Sequence, residues 1–352
     1  MSPKVSVVIP VYNVSEYLRE CISSVCDQTL EDIEIIAIND GSTDDSLAVL
    51  NELSESDSRI KVYTHTNRGL GETRNRGIEL SQGEYIAFVD SDDFIAVTAL
   101  EKLVEIADEC EADVVQGTTF FTDSNGVVES VRKELTGIPE IKISENTLET
   151  FYRDYYFTGI FTPNGCDKLY RLEKIKNNHI KFGDNKRIFA EDNWFQLQFI
   201  QTNPKVEIRA VDYYFYRQQE KSIMHSPKKD LVRRHEQMMK DFSEIVDIHQ
   251  ESANRKARAL LGADVFAMVV LDALTVKKTY REYMISAKQI RTQRCISQCI
   301  LDINREKAYQ FEKKKYKRIF LRTISFLQYI HFYWLEESIT WLVYKMKNPR
   351  GI

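Results

Sequence analysis

Tyr85-Ile86-Ala87-Phe88-Val89-Asp90-Ser91-Asp92-Asp93 runs from five apolar residues straight into three carboxylates. The apolar run lacks polar alternation and is short, the pattern of a strand covered on both faces. The acids then fall at its carboxyl end. Like charges so close oppose one another's ionisation unless something neutralises them. A divalent cation does so, and carboxylate oxygens suit Mg²⁺ or Mn²⁺. The plainer alternative is a solvated acidic turn that starts the next helix.

Outward from this stretch the same pattern recurs. Residues 5–10 and 33–39 are apolar runs, 60–64 is a short third strand, and 113–119 is a fifth. Helical spacing fills the intervals. Residues 15–28 carry Leu18, Cys21, Ile22 and Val25 on one face. Ser42 with Asp45 opens a helix in a capping-box pattern, 70–81 is a third helix, and Thr98 with Glu101 opens a fourth. Strands alternating with helices predict right-handed βαβ units, hence an α/β fold with a mostly parallel sheet and flanking helices. Ligands of such sheets sit at the carboxyl ends of the strands. Three polar clusters fall there: Pro10-Val11-Tyr12-Asn13, the run from Asn39 through Asp40 to Asp45, and Asp90-Ser91-Asp92-Asp93.

The segment 67–77, NRGLGETRNRG, adds glycines for close backbone approach, a helix N-terminus and guanidinium groups suited to phosphate. It is neither a dinucleotide fingerprint, which needs GxGxxG after the first strand, nor a P-loop, since no GK[ST] occurs. Arg74 and Arg76 also admit a reading as surface ion-pair partners.

IPVYN at 9–13, NDGSTDDS at 39–46, TRNRG at 73–77 and FVDSDD at 88–93 together resemble the family 2 glycosyltransferases with a GT-A fold, of the bacterial cell-surface polysaccharide type. The resemblance continues more loosely through NGCDKLY at 164–170, AEDNWF at 190–195 and YYFYRQQEKSI at 213–223. It implies a Rossmann-like GT-A domain over 1–228, with a nucleotide-sugar half at 1–120 and an acceptor half at 121–228. It further implies an inverting transfer of a hexose from a nucleotide-diphosphate sugar, by habit a UDP-sugar, to a hydroxyl of a glycan or lipid-linked acceptor. Tyr12 and Asp40 would hold the nucleobase, with Pro10, Val11 and Asn13 shaping the pocket. Asp90, Ser91 and Asp92 would meet the ribose and a Mn²⁺ or Mg²⁺ ion, with Asp93 beside them. Arg74 would lie near the diphosphate. Asp192 is the first choice of general base and Glu191 the second, against the alternative that both merely favour a helix N-terminus. Lys168 would orient the site, and His225 could approach metal or phosphate. The tyrosines of 213–216 read as strand packing before sugar platform.

Two other functions compete. A catalytically inactive GT-A binding or assembly module would be expected to have lost Asp40, Asp90, Asp92 or Asp192, all present here. A sugar nucleotidyltransferase should carry a GxGTR-type loop after the first strand, and none occurs.

Beyond the resemblance, residues 229–352 read as a helical region. Residues 305–322 carry eight basic and two acidic side chains, and Phe320, Ile324, Leu327, Ile330 and Trp334 follow at helical spacing. Over 305–345 this suits an anionic membrane surface or packing on protein, and a homo-oligomer stays open. The net charge of -5 points away from nucleic acid. No stretch reaches the ~18 uncharged apolar residues of a membrane span, and no signal peptide is evident. The expected location is therefore cytoplasmic, at most peripheral on the inner face of the membrane. The six cysteines form no zinc motif and are expected as reduced, mostly buried thiols.

Overall fold

The computed structural model describes residues 2–132, 135, 138, 141–143, 147–188, 190–218, 231–249, 252–263, 294–312, 314–331 and 338. The chain divides into two compact units. The first comprises Met1–Ser144, Ile160–Lys186 and Ala190–Ser226; the second comprises Glu145–Gly159, Arg187–Phe189 and Pro227–Ile352.

The first unit is built on one sheet, in the order β3-β2-β1-β4-β9-β6-β10-β5. β1 (Val5–Val11), β2 (Ile33–Asn39), β3 (Ile60–Thr64) and β4 (Tyr85–Phe88) pair in parallel. Every residue of β1, β2 and β4 is buried, as continuous apolar runs require. The intervals are helical: α1 (Ser15–Cys26), α2 (Ser46–Ser56) and α3 (Leu70–Leu80), with α4 (Ala99–Glu109) after β4. Gly77 lets α3 lie close on β1, because a Cβ there would meet Val8 Cγ1 at 2.2 Å.

Beyond β4 the sheet becomes mixed. β5 (Phe94–Ile95), β6 (Val114–Thr122), β7 (Val128–Val131), β8 (Ile141–Lys142), β9 (Lys168–Arg171) and β10 (Lys205–Arg217) complete it. β9 inserts between β4 and β6, antiparallel to both, while β10 runs parallel to β6. The mostly parallel expectation thus holds for β1–β4 and for β6 and β10, which run the same way, while the short β5, β7, β8 and β9 are antiparallel to their neighbours. β7 folds back antiparallel on β6, so the chain after β6 begins as a hairpin.

One helix start differs from expectation. α2 begins at Ser46, a turn later than Ser42. Ser42 Oγ instead accepts the Asn13 N–H at 3.1 Å, and Asp44 accepts the N–H groups of Ser15 and Ser46, both at 3.0 Å. Thr98 does precede α4, without a side-chain cap bond. Of the six free cysteines only Cys21, Cys166 and Cys299 are buried, so burial is less general than expected.

The second unit contains α5 (Leu148–Phe151), a π-turn at Tyr152–Tyr156, α8 (Leu231–His249), α9 (252–263), α10 (Arg294–Arg305) and α11 (Lys315–Tyr329). The aromatics of 151–157 pack here rather than in the sheet. Tyr152 Oη donates to Asn254 Oδ1 at 3.1 Å, and Phe157 lies 5.9 Å from Phe311. Among the described residues no helix is long and apolar enough to cross a membrane.

Candidate active site

α6 (Leu172–Asn177) and α7 (Glu191–Ile200) complete the first unit's helices. The three polar clusters follow the carboxyl ends of β1, β2 and β4, where the sheet rule expects a ligand. Pro10 and Val11 are the buried last residues of β1, and Tyr12 beyond them is 51% exposed. Asn13 has φ 51°, a left-handed conformation that Asn tolerates better than most residues. Its Oδ1 accepts the Thr43 N–H at 2.7 Å, which ties the first cluster to the second. Asp40 is buried and accepts from Arg68 N–H at 2.6 Å and Gly69 N–H at 2.9 Å. It thereby fixes the 67–69 turn, in which Gly69 has φ 95°. Each carboxylate oxygen has a second lone pair for a ligand donor.

Arg74 is the hub. Its side chain is 1% exposed, far from the surface ion-pair reading. It donates to Asp90 Oδ1 at 2.7 Å, to Asp192 Oδ1 at 2.6 Å and to Cys166 Sγ at 3.4 Å, with Glu191 Oε1 at 3.6 Å. The Phe182 ring lies 5.1 Å beneath the guanidinium. Burial opposes its charge, but Asp192 and Asp90 outweigh burial and hold its pKa well above the ordinary value. Burial pushes Asp192 up to about 7; Arg74 opposes this, while Glu191, then Asp90, add to it. Asp192 remains 26% exposed and Asp90 28%, so both can meet a ligand.

Asp192 is aimed by its surroundings. Ala190, before α7, has φ 59°, a conformation that costs a non-glycine residue ~1–2 kcal/mol. Such strain persists only where neighbours enforce it. Asn185 holds the next residue: it accepts the Gly71 N–H at 2.6 Å and donates to Glu191 Oε2 at 2.8 Å. Gly165 N–H also bonds the Asp192 carboxylate. Its loop is set by Lys168, which is fully buried and donates to Asp167 at 2.6 Å, Thr162 Oγ1 at 2.7 Å and the Asn164 carbonyl at 2.8 Å. Burial lowers the Lys168 pKa, with Asp167 opposing. Lys168 therefore supports the loop rather than facing a ligand.

The acidic turn after β4 has partners that the sequence did not advertise. Burial and then Asp90 push Asp92 up to about 6. Asp93 is buried and also raised, by burial and then Asp92. Tyr214 Oη donates to Asp93 Oδ2 at 2.7 Å and accepts the Asp90 N–H at 3.1 Å. Arg217 N–H donates to Asp93 Oδ1 at 2.8 Å. The Arg217 guanidinium reaches the Asp92 carbonyl at 2.9 Å, the Ser124 carbonyl at 2.7 Å and Glu20 at 2.6 Å. Ser91 is buried within the turn. Tyr213 and Tyr214 are buried in β10, in line with strand packing, but Tyr214 also spans the turn. Only the motif YYFYR hinted at this bracing. His225 lies outside the described residues. Among the described residues no group of three or more His, Cys, Asp or Glu side chains stands ready to hold a metal.

A family model described as glycosyl transferase family 2 matches residues 6–178. The uncharacterized glycosyltransferase EpsJ of Bacillus subtilis is 33% identical over 237 residues, 67% of this chain and 67% of its own. The chain belongs to glycosyltransferase family 2. A poly(ribitol-phosphate) beta-glucosyltransferase of Bacillus spizizenii is 34% identical over 217 residues, 60% of this family 2 chain and only 32% of its own length. The crystal structure of S. aureus TarS 1-349 in complex with UDP-GlcNAc superposes with a TM-score of 0.70 at 20% identity, over 98% of this glycosyltransferase and 92% of the TarS 1-349 chain. That likeness speaks to the fold: a GT-A sheet with flanking helices, followed by a helical C-terminal region.

Proposed function

We propose that this family 2 glycosyltransferase moves a sugar, with inversion, from a UDP-sugar to a hydroxyl of a glycan or lipid-linked acceptor. The carrying observation is the Arg74 clamp. One buried guanidinium holds Asp90 at 2.7 Å and Asp192 at 2.6 Å, so the donor-side acid and the base share a cluster. A uridine donor is supported by TarS, whose crystal structures contain UDP-GlcNAc and UDP. A polymeric acceptor is supported by the poly(ribitol-phosphate) beta-glucosyltransferase. On this reading residues 1–120 serve the donor, 121–228 the acceptor, and 229–352 form a separate helical region.

Tyr12, half-exposed at the end of β1, stacks on the nucleobase, and Asp40 accepts from its imide N–H. Asp90 and Asp92 fit a hard divalent cation, Mn²⁺ or Mg²⁺, because burial and mutual charge already raise Asp92 to about 6. Such an ion, when bound, stabilises the charge of the departing diphosphate. Asp192 takes the proton of the acceptor hydroxyl. That oxygen bonds to the anomeric carbon while the bond to the diphosphate oxygen breaks, and the electron pair leaves with UDP. A pKa of about 7 suits a base that must accept a proton near neutrality. Asn185 occupies one Glu191 oxygen at 2.8 Å, which favours Asp192 over Glu191 for the role. Arg74 acts through the two aspartates it holds.

The test incubates the protein with Mn²⁺ and a panel of nucleotide sugars and measures nucleoside diphosphate release, with and without candidate acceptors. Release from one UDP-sugar, abolished by EDTA and by Asp92→Ala, is expected. Asp192→Asn should lose transfer by about 10²–10⁴-fold yet still bind donor. Normal turnover in Asp192→Asn would remove it from the base role. No release and no thermal shift with any nucleotide would favour the inactive-module reading.

A further inference from the structure

α11 presents two unlike faces. Ile324, Ser325, Leu327 and Gln328 are buried, and Ser325 Oγ bonds the Leu301 carbonyl of α10 at 3.3 Å. Away from them, Tyr316 is 59% exposed, Ile319 56%, Phe326 55%, and Ile330, just past the helix end, 43%. At 3.6 residues per turn these four fall within a stripe about 80° wide. Lys315, Arg318 and Arg322 are exposed along one edge of that stripe. The sequence holds no acidic residue between Glu312 and Glu336.

A contiguous exposed apolar stripe marks an interaction surface. Its charge says which kind. Three cations beside it, with no carboxylate on the helix, would repel a second copy of the same face. They complement a sheet of phosphates, while the aromatic and aliphatic side chains suit the boundary between headgroups and acyl chains. We propose that this face of α11 docks on an anionic lipid surface. Tyr316, Ile319, Phe326 and Ile330 insert shallowly, and Lys315, Arg318 and Arg322 meet lipid phosphates. The proposal is independent of the transfer chemistry, whose residues lie in the other unit.

The test sediments the full chain with phosphatidylcholine vesicles, with and without phosphatidylglycerol. Pelleting is expected only with phosphatidylglycerol, and raising salt should weaken it. The double variant Ile319→Gln/Phe326→Gln changes exposed side chains only. It should keep the wild-type melting temperature and circular dichroism while partitioning about tenfold less or worse. Lys315→Glu should weaken partitioning several-fold. Equal pelleting of wild type and double variant overturns the proposal, as does indifference to phosphatidylglycerol. A dimer that the double variant dissolves, with no vesicle binding by the wild type, would overturn it in favour of self-association.

Discussion

The β1–β4 half of the sheet and the β9-β6-β10 half contribute to the site in different ways. The first half delivers its polar residues by parallel topology: each strand ends at the same edge, and Tyr12, Asp40 and Asp90 follow. Its working contacts are short in sequence, as where Asp40 holds Arg68 and Gly69. The second half delivers support across long separations. Tyr214 and Arg217, from the end of β10, brace a turn more than a hundred residues upstream. The loop before β9 reaches Asp192 through Gly165. A ligand-facing carboxylate can thus come from a local motif, whereas its orientation and charge state depend on chain that is distant in sequence.

Variants in each half should separate these roles. Arg74→Ala should do the most damage, because it leaves Asp90 and Asp192 facing each other in a buried cluster. A cost of about 3–5 kcal/mol, read as a lower urea midpoint, is expected together with loss of transfer. Arg74→Lys should recover part of the stability but not the two-pronged geometry. An Arg74→Ala protein of normal stability would mean that the clamp is not the organising contact.

The pH profile probes the far-half surroundings of Asp192. The base must be ionised, so kcat/KM should rise with pH and level off above about 7. At pH 5 it should stand about a hundredfold below the plateau. The stability contribution has the opposite sign. Folded Asp192 holds its proton more tightly than the ordinary value of 3.8, so this group favours folding less as pH rises from 3.8 to about 7. An acid limb near pH 4 would show that Asp192 ionises at its ordinary value, with the Arg74 ion pair offsetting burial.

Arg217→Met should cost about 2 kcal/mol in apparent Mn²⁺ or donor affinity, because the guanidinium no longer ties the Asp92 carbonyl to Ser124 and Glu20. The acid limb should not move, since Arg217 braces the donor turn and not Asp192. A shift in that limb would merge the two roles. Tyr214→Phe should have the smallest effect, about 1 kcal/mol, through loss of the bridge between Asp90 N–H and Asp93. Equal melting curves and equal KM for metal would show that this bridge contributes nothing.

Much of the near half was legible in the sequence. Continuous apolar runs identify buried strands because each strand's environment is uniform along its length. Carboxylates following such a run stand out because charge is costly there. The far half was harder. β9 is four residues long and carries the buried Lys168, so no periodicity or composition announces it. The capping pair Ser42 and Asp45 misled because Ser42 bonds the turn after β1, whereas Asp45 directly precedes α2, which starts only at Ser46.

By itself the sequence determined the βαβ order, the strand ends that carry Tyr12, Asp40, Asp90 and Asp92, and the family resemblance they support. These features are written in neighbouring residues, whose spacing reflects local geometry. Only the tertiary structure decided that Arg74 is buried between Asp90 and Asp192, that Lys168 props the loop behind Asp192, and that Arg217 and Tyr214 hold the acidic turn. Each of these depends on which distant segments meet, and hence on burial and charge neighbours that no local spacing encodes.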